Sequence, residues 1–91
     1  MKFLHYEVST QAGDIIHVTL RGNEANVQVM DDFNFSNYRS RRKYEYFGGH
    51  YNRSPINISV PSAGKWNVVI DLGGHGGHLE AGVRVISSVL S

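Results

Sequence analysis

The sequence predicts an all-β fold: a Greek-key or jelly-roll-like β-sandwich of roughly seven to eight short, mostly antiparallel strands. Three observations carry this. Apolar residues recur at every second position, the period of a strand with one buried face. Each such run is short and ends in turn residues. Ten glycines suit a chain that reverses often, because glycine reaches positive φ without steric cost.

Along the chain, Leu4, Tyr6 and Val8 alternate with Phe3, His5 and Glu7. Ala-Gly-Asp at 12–14 closes that run. Ile16, Val18 and Leu20 follow, with His17, Thr19 and Arg21 on the other parity, up to Gly-Asn at 22–23. Val27 and Val29 form a third run, and Arg41–Phe47 reads as a further strand, interrupted by Gly48-Gly49 as a bulge, a turn or a close backbone approach. Ile56, Ile58 and Val60 come next, then Trp66, Val68, Ile70 and Leu72 after the Pro-Ser-Ala-Gly turn at 61–64. Asp71–Gly82 (DLGGHGGHLEAG) reads as a flexible β-hairpin loop before a last strand holding Val83, Val85 and Val89. No segment shows a convincing amphipathic helix. Ile15, Val69, Ile86 and Phe47 are apolar on the outward parity, which calls for a cover: a loop, barrel curvature or a second subunit.

Ninety-one residues make one domain, a single β-sandwich over 1–91. Nine Lys+Arg against eight Asp+Glu give a net charge of +1, so a dedicated non-specific nucleic-acid binder, which needs an extended basic footprint, is not expected. Without cysteine, disulfides, thiolate zinc sites and cysteine nucleophiles are excluded. The N-terminal MKFLHYEVST lacks the apolar core of a signal peptide, and no apolar run approaches a membrane span; a cytoplasmic, membrane-free protein is the expectation.

Charge and aromaticity concentrate in RSRRKYEYFGGHYNR at Arg39–Arg53, which holds five of the nine basic residues. On a strand, Arg42, Tyr44 and Tyr46 would share one face, and His50, Tyr51 and Arg53 could extend it. Such a face suits an anionic or stacking ligand, a glycan or a protein partner. The plainer alternative is an exposed strand with solvated arginines.

Other constellations are thinner. The glycines of 71–82 lead into a strand rather than a helix and lack the Walker lysine, so they are not a phosphate loop. His75 and His78 make a weak metal pair, and Asp31 and Asp32 a weak calcium site without the EF-hand spacing. His5 and His17 would come close if the first two strands formed a hairpin, but would still lack a third ligand. No serine sits in a nucleophile elbow, so no catalytic site and no cofactor are expected; a small metal-dependent hydrolase is the outlying alternative.

The runs NVQVMDDFNFSNYR, YFGGHYNRSP and VPSAGKWNVVIDLGGHGGHLEAGVRVI resemble a bacterial domain-of-unknown-function family of small all-β domains. The matching elements fall at Asn26–Asp31, Asn34–Tyr38, Tyr46–Gly49, Ser54–Pro55, Pro61–Trp66 and Asp71–Gly74. The family's members occur alone or in front of a Toll/interleukin-receptor-type (TIR) domain. The resemblance implies a β-sandwich binding module with no catalytic residues to carry over. Together the residues and the resemblance point to a non-catalytic binding or interaction module, with a homo-oligomeric assembly domain or a carbohydrate-binding module as alternatives.

Overall fold

The computed structural model describes residues 3–74 and 76–87, and among the described residues there are seven strands and one helix. The strands are β1 (Phe3–Thr10), β2 (Ile15–Gly22), β3 (Ala25–Met30), β4 (Phe47–Tyr51), β5 (Ile56–Ser59), β6 (Gly64–Asp71) and β7 (Leu79–Ile86), with helix α1 (Asp32–Arg39) between β3 and β4. They form two antiparallel sheets, sheet A in the order β1-β6-β3-β4 and sheet B in the order β5-β2-β7. Sheet A and sheet B pack as a sandwich, and only the β3–β4 connection joins neighbours within one sheet. Every other step crosses to the opposite sheet, as in jelly-roll-like chains.

The alternation sets the core. Ile16, Val18, Val27, Val29, Ile56, Ile58, Val60, Trp66, Val68 and Ile70 are buried together, joined by Ala25, with Tyr6, Val8, Leu20, Leu72 and Val83 packed against them. Leu4, expected inside, stays exposed near the end of edge strand β1. Val89 lies outside the described residues.

Crossing connections decide against the conditional hairpin of the first two strands and overturn the expected hairpin loop at 71–82. β1 pairs with β6 while β2 pairs with β5 and β7, so His5 and His17 sit on the outer faces of different sheets. Likewise β6 and β7 belong to different sheets, so 72–78 is a crossover rather than a hairpin loop. Local alternation fixes which face a residue takes; it carries no information about the partner strand.

The helix is a further correction. Asp31 caps it, its Oδ1 accepting from the Asn34 backbone N–H at 2.8 Å, and Asp32 and Arg39 match the two ends of the helix dipole. Its eight residues bring too few apolar side chains for a clear 3.6-residue period. Those that face the sheet cover the outer side of sheet A, which explains Val69: it is fully buried between His5 and Gln28 in the register. Ile15 and Ile86 stand opposite each other on the outer face of sheet B. Phe47 shares the inner parity of Val29 and meets Trp66 edge-on at 5.9 Å, yet remains exposed on edge strand β4. The expected strand over 41–47 starts only at Phe47, and Gly48 lies within β4 at φ 122, where a Cβ would come 2.1 Å from the Val27 carbonyl oxygen.

Candidate functional site

The outer face of sheet A carries three rows read across the strands: Phe3–Asp71–Asn26–His50, His5–Val69–Gln28–Gly48 and Glu7–Asn67–Met30. Helix α1 lies over them and brings an aromatic row. Phe35 stacks on His5 at 4.1 Å, Phe3 meets Tyr38 edge-on at 5.3 Å, Tyr38 meets Tyr44 at 5.2 Å, and Tyr44 lies 5.5 Å from Tyr46. The Arg39 guanidinium sits 5.7 Å above the Phe35 ring, within cation–π range.

Polar groups buried beneath this row are saturated. Asp71 accepts from Tyr38 O–H at 2.9 Å, Asn26 Nδ2 at 2.8 Å and the Gly73 N–H at 2.8 Å. Because Asn26 donates through Nδ2, its Oδ1 accepts from His50, whose Nδ1 therefore carries the proton. His50 Nε2 reaches Glu24 at 3.3 Å. Asn67 donates through Nδ2 to Asp32 at 2.7 Å and to the Met30 carbonyl at 3.3 Å, so its Oδ1 accepts from His5 Nε2. The Asn67 hydrogen bond holds the Asp32 carboxyl below its usual range, with Lys65 helping. Lys65 is raised by its hydrogen bond to Glu7 and by Asp32. All three are exposed, so this ion cluster shapes the surface more than it stabilises it.

Burial, reinforced by the bond to Asp71, pushes the Tyr38 hydroxyl far above the ordinary tyrosine range. The folded form thus holds this proton more tightly than the unfolded chain. Its stabilising contribution is complete below about pH 10 and is lost as pH rises through the folded value. An absorbance titration should therefore show one of the five tyrosines ionising only as the protein unfolds in alkali.

The expected site residues divide between two faces. Tyr44 is half-buried and donates to Gln28 Oε1 at 3.1 Å, and Tyr46 beside it is exposed. Arg42 lies in the 40–46 loop, its backbone N–H bonded to the Asn37 carbonyl at 2.8 Å. His50 is on the outer face, but Tyr51, its neighbour in β4, packs against the core opposite Ala25. Arg53 lies in the 52–55 turn beyond Tyr51, beside Leu20 and Asn23, away from the helix. So Arg42, Tyr44 and Tyr46 stay together with the helix, and Tyr51 and Arg53 do not join them. Tyr38, Arg39 and Arg41 complete the group instead.

A family model described as a domain of unknown function (DUF1883) matches residues 1–89. The chain belongs to this family. No curated protein and no solved structure matches it.

Within this DUF1883 domain the weak metal candidates do not converge. Asp31 is a helix cap and Asp32 is held by Asn67 and Lys65. His5 and His17 bond Asn67 and Asn57 on opposite sheets, and His78 pairs with Glu80 at 3.5 Å. His75 lies outside the described residues. Among the described residues no three His, Cys, Asp or Glu side chains gather as a metal site, and no helix is long and apolar enough to cross a membrane.

At the end of α1 the DUF1883 surface clusters cations that lack a carboxylate partner among the described residues; Arg21, Arg53 and Arg84 also lack one but stand singly. The contacts of carboxylates with basic side chains among the described residues join Glu7 and Asp32 to Lys65 as ion pairs, and bring Glu24 to His50 and Glu80 to His78, which pair as ions only when the imidazole is protonated. Arg39, Arg41, Arg42 and Lys43, all exposed, have no carboxylate partner among them. Arg41 is also the single non-glycine described at positive φ, 58°, just past the helix cap Ser40, where glycine is usual.

Proposed function

We propose that this domain is a non-catalytic binding module that docks an acidic protein surface on the basic turn Arg39–Lys43 and the adjoining Tyr44–Tyr46 pair. The observation that carries the reading is Arg41: an arginine holds a left-handed position that glycine would occupy at lower cost, within a run of four unpaired cations. Backbone strain beside uncompensated charge is the pattern of a surface kept for recognition rather than stability. The polar cleft beside the turn, about 510 Å³, is lined by Arg39 but not by Arg41, Arg42 or Lys43. That arrangement suits a broad acidic partner better than a small anion held in a cavity. In relatives carrying a TIR domain, the same module would serve as the recognition half in front of the effector.

Binding of a hexaglutamate peptide at low salt, followed by calorimetry, tests this. Arg41→Glu with Arg42→Glu should weaken it by about tenfold or more, since each reversal costs of order 1 kcal/mol at an exposed site. Unchanged affinity would remove the reading. Arg41→Gly separates the two roles: it should raise stability by about 0.5–1 kcal/mol, by relieving the left-handed backbone, while weakening peptide binding.

A second reading places another copy of the chain on sheet B, where Ile15 and Ile86 stand together on the outer face. Mass by light scattering over a wide concentration range should then rise, and Ile15→Lys should abolish the rise.

A further inference from the structure

Beside the basic turn lies a cleft of opposite character. It measures about 340 Å³, and its walls include Tyr46, Phe47 and Trp66, with Asp31 and Glu45 as its charged groups. The Phe47 and Trp66 rings meet at 71° with centroids 5.9 Å apart, forming a corner of two aromatic walls. Tyr46 and Phe47 are 45% and 43% exposed, so the aromatic surface is open to a ligand. Trp66 Nε1 is already bonded to the Ser62 carbonyl at 3.2 Å, so the indole contributes its ring and not a donor.

Both acidic residues are tied to one neighbour, Asp31 through its carboxylate and Glu45 through its backbone. Asn34 donates its backbone N–H and Nδ2 to Asp31 Oδ1, at 2.8 and 2.9 Å, while its Oδ1 accepts from the Glu45 backbone N–H at 2.9 Å. Asn34 thereby ties the start of α1 to the loop before β4. Neither Asp31 nor Glu45 takes part in an ion pair among the described residues. The partial positive charge of the helix N-terminus is met by Asp31 Oδ1, and Glu45 adds a full negative charge beside it.

We propose that this cleft binds an alkylated ammonium group. The π-faces of aromatic rings attract a cation, and methylated nitrogen loses little hydration on entering an apolar corner. Two carboxylates at the rim, that of Asp31 fixed by Asn34 and that of Glu45 exposed, add charge complementarity, and a hydrophilic anion would be repelled. A bare metal ion would find too few converging ligands here. The site is opposite in sign to the basic turn and shares only Tyr46 with the acidic-partner surface.

The chain has one tryptophan, so its indole N–H resonance reports directly on the cleft. The full-length protein is titrated with tetramethylammonium chloride and, separately, with sodium chloride at equal ionic strength. Tetramethylammonium should shift the Trp66 indole and the Tyr46 and Phe47 amide resonances saturably, at a concentration on the order of 1–10 mM. Sodium should not. Glu45→Gln, a surface change that leaves the backbone bond to Asn34 intact, should raise the half-saturating concentration about fivefold, as should Phe47→Leu. No saturable shift below ~100 mM, an equal response to sodium, or unaltered affinity in Glu45→Gln would overturn the proposal. Choline and a trimethyl-lysine peptide are the further arms. Tighter binding of choline assigns the ammonium group to a small molecule, and tighter binding of the peptide assigns it to a modified protein; each requires the cleft. Loss of hexaglutamate binding with cation binding intact would count against the basic turn alone, and the reverse against this cleft alone.

Discussion

Trp66→Ala is expected to destabilise the domain by about 3–5 kcal/mol, the range for emptying a buried aromatic site. Trp66 is 8% exposed and belongs to the shared core of the two sheets. The change removes its ring from Phe47 and its Nε1–H from the Ser62 carbonyl, beside the turn that begins β6. Since β6 is the strand that joins β1 to β3, loosening its start disturbs the middle of sheet A. For a domain of this size each kcal/mol moves the melting midpoint by about 4–8 °C, so a drop of well over 10 °C should appear in thermal melts. Trp66→Phe keeps most of the ring volume and should recover the larger part of the loss. An unfolding free energy from denaturant melts of Trp66→Ala within about 1 kcal/mol of the parent would mean that the indole is not part of the core.

The second large effect falls on Asp71. Asp71→Ala should cost about 2–4 kcal/mol, because hydrogen bonds to a buried carboxylate are worth about 1.5–3 kcal/mol each and are not additive. The Gly73 N–H is exposed enough for water to replace its partner, which lowers the total. Tyr38 and Asn26 are half-buried, and the Tyr38 hydroxyl sits under the helix. Asp71→Asn should cost less, about 1 kcal/mol, because the Tyr38 hydroxyl can rotate to accept from the new amide. In both variants the Tyr38 hydroxyl should titrate closer to the ordinary tyrosine range. A loss in Asp71→Asn as large as in Asp71→Ala would show that charge, and not hydrogen-bond satisfaction, is what β6 requires there. Because Asp71 fixes Tyr38 and Tyr38 abuts Tyr44, these variants should also loosen the aromatic row that leads to Tyr46.

The core was legible in the sequence because each sheet has one side in it. Ile16 and Val18, or Val68 and Ile70, needed only the two-residue period to be placed inside. Phe47 is harder to place by parity, because the strand begins only at Phe47 and the 40–46 loop before it has no alternation to extend. Strand pairing stayed hidden, since nothing in Leu4–Val8 encodes that its partner is Trp66–Ile70, about sixty residues on.

The grouping of side chains in the candidate site was half legible. Arg42, Tyr44 and Tyr46 were recognisable from composition, yet grouping His50 with Tyr51 overlooked that adjacent strand residues face opposite ways. The helix was the decisive omission. Its signals were present as Asp31 before the first turn, Asp32 within it, Phe35 and Tyr38 three apart, and Arg39 at the end. They were outweighed by the short length and by Asn34, Ser36 and Asn37, poor helix formers whose place is decided by packing on sheet A. Without the helix, Val69 had no cover and the basic run had no cap geometry to set it apart. Arg41 in a left-handed backbone is a feature that no composition or periodicity announces.

The most direct test of the proposed docking surface is a chemical-shift map of the isotope-labelled domain titrated with hexaglutamate at low salt. The account predicts perturbations confined to Arg39–Tyr46, fading as salt is raised, with Arg21 and Arg84 on sheet B unaffected. Shifts centred on Arg21, Arg84 or Arg53, with the 39–46 turn silent, would contradict it.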